Sequence, residues 1–193
     1  MENLSEKEIL IRLAEGNKLA YGFVFKIYYE RLFRFSLHYL NDNEAAKDVI
    51  QDVFASMLED SKKFAQVKNL SSWLYTLTKN LSLKKIDQLK VRQKHADTLK
   101  YRQLSHSLDA LNELDTSPIT FNEISKIISD TLEQLPDQTR KIFELSRFEN
   151  KKNREIAEEL NISIKTVEAN ITKTLKHLKK ALKHYLPLVF FMV

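Results

Sequence analysis

The chain has 193 residues, with no cysteine, two glycines and three prolines, a length that suits one ordinary domain or two small ones. Without cysteine there is no disulfide framework, thiolate zinc site or cysteine nucleophile. Gly16 and Gly22 are too few for a P-loop, a dinucleotide fingerprint or a nucleophile elbow, each of which needs backbone lacking a Cβ. So little Gly and Pro disfavours a turn-rich β-fold and favours helices.

Lys plus Arg exceeds Asp plus Glu by 31 − 26 = +5, and the excess is local. Residues 1–78 carry 10 basic and 11 acidic side chains, 79–102 carry 8 and 2, 103–122 carry 0 and 3, and 123–193 carry 13 and 10. Two basic zones on a near-neutral body fit two footprints on a polyanion, nucleic acid first among them, against the plainer reading of solvated lysine faces. Residues 1–7 are polar with no apolar run behind them, unlike a signal peptide. The apolar run 186–193 contains Pro187 and falls far short of the roughly 20 residues that span a bilayer. A cytoplasmic protein is expected.

Along the chain, residues 4–16 open with Ser5 three positions before Glu8 and close at Gly16, helix start and stop signals. Residues 18–40 give a long aromatic-rich helical pattern through Leu19, Phe23, Ile27, Leu32, Phe35 and Leu40, and 41–43 break it. In 44–60, Ala45, Ala46, Val49, Ile50, Val53, Phe54 and Met57 form one stripe, with Lys47, Asp48, Gln51 and Asp52 opposite. Residues 61–69 read as a polar loop and 71–95 as a basic helix opened by Ser71 or Ser72. Residues 96–121 collect Ser, Asp, Asn and Thr and read as a flexible linker between domains 4–95 and 122–184, with a fraying helix at its start as the alternative. Beyond it, Ile124, Ile127, Ile128 and Leu132 form a helix stopped near Leu135 and Pro136, followed by one through Ile142, Phe143 and Leu145. No segment alternates long enough for a strand, so the fold class is all-α in two small helical domains.

Residues 153–184 carry the sharpest motif. Ile156, Ala157 and Leu160 face inward on a short helix, Asn161 takes a left-handed turn, Ser163 caps the next helix, and Val167, Ile171, Leu175 and Leu178 line it. This is a helix-turn-helix whose second helix, 164–184, would enter the major groove. Off the core lie Lys165, Thr166, Glu168, Ala169, Asn170, Thr172 and Lys173. Glu168 suits cytosine, Asn170 adenine, Thr166 and Ala169 base edges or thymine methyls, and Lys165 and Lys173 phosphates.

At this point Leu135, Pro136, Arg140, Phe143, Glu144, Leu145, Glu155, Ile156, Ala157, Ser163, Thr166, Val167 and Glu168 resemble region 4 of a bacterial RNA polymerase sigma factor. Ala45 with Asp48 through Phe54 resembles the core-polymerase helix of region 2, and Trp73, Leu74, Tyr75 and Asn80 its promoter-melting segment. Regions 2 and 4 joined by a short acidic linker look like the extracytoplasmic-function (ECF) group. The resemblance covers roughly 8–95 and 122–182; at Lys84 and Asp87 the chain departs from the Asp and Arg common in the family.

The resemblance implies that Asp48, Gln51 and Asp52 meet the β′ coiled coil of core polymerase and that region 4 meets the β flap. It implies that a −10 base is captured between the 61–69 loop and the following helix, with Phe64, Tyr75 and Asn80 as its pocket and Ser72 and Trp73 beside them, against the plainer reading of Phe64 and, first of all, Trp73 as core. Lys79, Lys84, Lys85, Lys90 and Arg92 would hold phosphates, while helix 164–184 reads the −35 element. Promoter DNA and an anti-sigma factor are the other implied partners; the apolar tail 185–193 packs against its own domain in the plainer reading, or docks on the anti-sigma factor or on region 2 of the same chain. No cofactor, metal or small-molecule substrate is expected. His38, His95, His106, His177 and His184 show no ligand spacing, which speaks against an enzyme. The alternatives are a stand-alone helix-turn-helix regulator and a helical adaptor with no role on DNA.

Overall fold

The computed structural model describes residues 5–93, 98–149, 151–185 and 188, with backbone alone at 92 and 93. The chain divides into two compact units meeting between Phe121 and Asn122. The first contains α1 (Glu6–Ala14), α2 (Lys18–Leu40), α3 (Asn43–Glu59), a 3-10 turn Ser61–Gln66, α4 (Leu70–Gln93) and α5 (Thr98–Glu113). The boundary falls inside α6 (Pro118–Glu133), and α7 (Asp137–Arg147), α8 (Asn153–Glu159), α9 (Ile164–Ala181) and a 3-10 turn Lys183–Tyr185 follow. No strand occurs among the described residues.

Local chemistry sets most helix ends. Ser5 Oγ accepts from Glu8 N–H, Asn17 Oδ1 from Leu19 and Ala20, and Asp42 Oδ1 from Ala45, each satisfying amides with no intrahelical partner. The turns after α1, α2 and α8 need left-handed backbone, and Gly16 (φ 73°), Asn41 (φ 48°) and Asn161 (φ 52°) supply it. α4 is capped by Asn69, whose Oδ1 accepts from Ser72 N–H at 2.8 Å, and not by Ser71 or Ser72 as the sequence pattern suggests. The 61–69 segment read as a loop folds partly as the 3-10 turn, because Phe64 is buried beneath it.

In the first unit α2, α3 and α4 pack on one another, and α5 packs on α4 and α2. Tyr75 of α4 sits between Phe35 of α2 (centroids 5.4 Å, edge-on) and Phe121 (5.4 Å, tilted). The largest correction concerns 96–121. This stretch is no uniformly flexible linker, since 98–113 form a 16-residue helix with Leu104 and Leu111 buried. Its polar composition conceals two apolar residues seven apart, which lie on one helical face.

In the second unit Ile142, Leu145, Ile156, Ala157, Val167 and Ile171 form the core, with Leu160, Ile162 and Leu175 against it. Apart from Tyr185, only Leu188 of the apolar tail is described, and it is 2% exposed; 186, 187 and 189–193 lie outside the described residues. Among the described residues no helix is long and apolar enough to cross a membrane.

Leu111 is fully buried and Leu99 of the same helix 72% exposed. Leu111→Ala should therefore cost about 2–5 kcal/mol and Leu99→Ala within about 0.5 kcal/mol. Urea denaturation monitored by the single tryptophan, Trp73, would show two equal small effects if α5 did not pack.

Candidate nucleic-acid interface

Asn69, Ser72, Trp73, Thr76, Leu77 and Asn80 recur at helical spacing and share one face of α4. With Lys63, Gln66, Val67 and Lys68 of the preceding turn, and Pro118, they line an open cleft of about 520 Å³, in the range of small-ligand sites. The cleft joins apolar walls (Val67, Trp73, Leu77, Pro118) to amides (Gln66, Asn69, Asn80) and lysines (Lys63, Lys68). Lys63 Nζ stands 5.0 Å from the Trp73 ring centre and 5.7 Å from that of Phe64, and donates to Ser56 O. Its positive charge is thus fixed at the rim by two aromatic faces and one carbonyl.

The cleft is populated differently from the sequence expectation. Trp73 is half-buried and Asn80 exposed, and both line it. Tyr75 does not, because it is 1% exposed between Phe35 and Phe121, and burial raises its phenol well above the ordinary value. Phe64, also 1% exposed, supports Trp73 edge-on from beneath at 5.1 Å. Ser72 lines the cleft, but its Oγ donates to Thr116 O at 2.7 Å. Lys79 Nζ donates to Leu114 O at 2.6 Å and Asn112 O at 3.3 Å, closing the end of α5 in place of a phosphate contact. Burial lowers its ammonium from the ordinary value. Thr76, Leu77, Gln66, Lys68 and Pro118 escaped the sequence reading. The i, i+3, i+4 spacing from Asn69 to Asn80 would have flagged Thr76 and Leu77, whereas Pro118 is brought in by tertiary structure.

Further along α4, Lys84 is exposed and Lys85 pairs with Asp48 of α3 at 2.8 Å. The expected DNA-side lysine and polymerase-side aspartate thus neutralise one another in the free chain. Lys90 lies over Tyr101 of α5 at 5.2 Å, and the Arg92 side chain is outside the described residues. On α3, Asp48, Gln51 and Asp52 are all exposed, opposite the buried stripe from Ala45 to Met57.

In the second unit the helix-turn-helix is set by its turn. Asn161 is left-handed, Ser163 Oγ accepts from Thr166 N–H at 3.0 Å, and Ile162 packs on the core. Lys165, Glu168, Ala169, Thr172 and Lys173 are exposed along α9, and Thr166 is half-buried with its hydroxyl against Ser163 at 2.8 Å. Asn170 departs from the expected adenine contact. Its Nδ2 donates to Thr166 O at 2.8 Å and its Oδ1 accepts from Thr139 Oγ1 at 2.7 Å, tying α9 to α7. Both ends of the amide are therefore used inside the protein.

A helix-turn-helix unit together with a unit whose longest helix lines an open cleft with aromatic, amide and lysine side chains is the build of a helical DNA-binding protein. Residues 24–92 match the family described as Sigma-70 region 2 and residues 125–178 that described as Sigma-70, region 4. The chain is 25% identical over 187 residues to the ECF RNA polymerase sigma factor SigW of Bacillus subtilis, covering 95% of this chain and 99% of that protein. It is 22% identical over 173 residues to the ECF RNA polymerase sigma-E factor of Haemophilus influenzae, covering 88% and 91%. Against the RNA polymerase sigma-H factor of Pseudomonas aeruginosa it is 21% identical over 182 residues, covering 92% and 94%. The chain belongs to the sigma-70 family of RNA polymerase sigma factors, in its extracytoplasmic-function group. Its activity is promoter-specific transcription initiation with RNA polymerase.

Asn170→Ala removes the α7–α9 bond and leaves Thr139, which is 5% exposed, without it. The second unit should lose on the order of 1 kcal/mol, read as a shifted denaturation midpoint. Asp115 is held below its ordinary 3.8 first by the Thr120 hydroxyl, then by the Ser117 N–H. A depressed carboxyl stabilises the fold above its unfolded value and stops doing so as pH falls through its folded value. Wild type should therefore exceed Asp115→Ala in stability at neutral pH, with the gap closing on acidification below 3.8, as urea titrations at several pH values would show.

Proposed function

We propose that the α4 cleft holds an unpaired base of the −10 element while α9 reads the −35 element from the major groove. Trp73 supplies a stacking face, worth about 1–3 kcal/mol per base. Asn80 and Gln66 offer amides to base edges, and Lys63, Lys68 and Lys84 draw in phosphates. On α9 the contact set is Lys165, Thr166, Glu168, Ala169, Thr172 and Lys173, with Asn170 fixing the helix they stand on. The exposed Asp48, Gln51 and Asp52 face docks on the β′ coiled coil, and the second unit on the β flap. The observation that carries this reading is the cleft, which falls within the region-2 match apart from Pro118.

In mechanism the chain works by position and charge rather than by catalysis of its own. Bases leave the stack of a melted duplex at a cost of a few kcal/mol each. A pre-formed aromatic and amide cleft offsets part of that cost, because Trp73 is already held by Phe64 and Lys63. The lysines add a salt-dependent, sequence-independent attraction. An intracellular setting and control by an anti-sigma factor complete the proposal.

The test is co-elution of the full chain with bacterial core RNA polymerase, with a housekeeping sigma factor as competitor. A one-to-one complex that the competitor displaces is expected, and Asp52→Lys should weaken it about tenfold through charge reversal on the docking face. Elution alone, while the competitor binds the same core, would overturn the proposal. In the reconstituted holoenzyme Trp73→Ala should weaken binding of melted −10 strand about tenfold or more, while leaving duplex −35 binding unchanged.

A further inference from the structure

We infer that the segment 112–121 is a fixed wall of the base-holding cleft, and that Pro118 on it determines which base the cleft accepts; this rests on the reading of the cleft given above. The segment lies outside both matched regions, which end at residue 92 and resume at 125. It therefore adds something to the site that those two regions do not contain.

The segment is pinned along α4 by side chains whose donors are spent on its backbone. Thr116 O accepts from Ser72 Oγ at 2.7 Å and from Thr76 Oγ1 at 3.1 Å, and Thr76 Oγ1 also bonds Thr116 Oγ1 at 2.9 Å. Lys79 holds the carbonyls of Leu114 and Asn112. Both ends are sunk in the core, since Leu111 and Phe121 are 0% exposed. Between them Asp115 accepts from Ser117 N–H at 2.8 Å and from the Thr120 hydroxyl, and Ser117 Oγ accepts from Thr120 N–H at 3.3 Å, so the turn into α6 is closed by its own side chains.

Pro118 begins α6, where its locked φ suits the first helical turn. Its ring has little freedom to yield, and it lines the cleft with Trp73, Leu77 and Asn80. A rigid apolar ring at the edge of a cleft of about 520 Å³ discriminates by shape, accepting a base whose outline fits and excluding one that does not. Ser72, Thr76 and Lys79 are accordingly positioning residues, whose hydroxyls and ammonium are spent on this wall.

The experiment uses holoenzyme reconstituted from the full chain and core polymerase, incubated with a pool of randomised single-stranded DNA whose bound fraction is sequenced. Wild type should show a preference at one base position that Pro118→Ala flattens about three- to tenfold, with neighbouring positions unchanged. Thr76→Val, which unhooks Thr116, should flatten the same position, and Thr76→Ser should restore it. A purely structural role would not move one position alone. If Pro118→Ala selects the same sequences as wild type, or shifts all positions equally, the wall is refuted. Uniformly tighter binding by Pro118→Ala would make the segment a cover over the cleft and likewise refute it. Asn80→Ala separates the two levels: if it weakens strand binding while Pro118→Ala changes nothing, only this inference falls. A wild-type holoenzyme without any base preference overturns both.

Discussion

The first unit depends on one side chain, Tyr75. Its ring joins α2 through Phe35 and the start of α6 through Phe121, so three parts of the chain remote in sequence share a single desolvated contact. Aromatic pairs at this separation contribute about 0.5–1.5 kcal/mol beyond simple burial. More consequential is geometry. With Tyr75, Leu74, Thr78 and Ile86 buried, α4 can rotate no further about its axis, and Trp73, Thr76, Leu77 and Asn80 are left lining the cleft. The cleft is a by-product of where the core holds the helix.

That division of α4 explains what the sequence revealed and what it hid. Features set within one turn of chain were legible: the Ser5 cap, the break at 41–43, the Asn161 turn, the Ser163 cap and the apolar stripes of α3 and α9. The caps depend on a side chain reaching backbone three residues away, the turn on one left-handed residue, and the stripes on spacings of three and four. The fold class and both family regions followed from such features. The failures share a different cause. Tyr75 looks like an exposed aromatic wall until Phe35 and Phe121 cover it. Lys79 and Asn170 look like DNA contacts until Asn112, Leu114 and Thr139 claim them. Partners more than 30 residues away in the chain leave no local signature. The length and packing of α5, against the fraying helix expected there, were hidden because a helix needs only a narrow apolar seam when the rest of its surface is wet.

The polar chemistry is economical in the same way. Several side chains suited to binding nucleic acid are used to brace the site: Lys63 against Trp73, Asn170 between α7 and α9, Lys85 against Asp48. The last pair is partly exposed, so its own contribution to stability is small. Its effect is to keep the acidic side of α3 and the basic side of α4 from presenting unbalanced charge together.

The left-handed turns have a consequence in the unfolded chain. Glycine would fit the backbone at Asn41 and Asn161 with less steric opposition, yet asparagine stands there, and glycine only at Gly16. A glycine at either site would enlarge the ensemble of unfolded conformations and so raise the entropy lost on folding, an effect of about 0.4–1 kcal/mol per position. By narrowing the disordered state at the turns after α2 and α8, the two asparagines restrict the search for the fold.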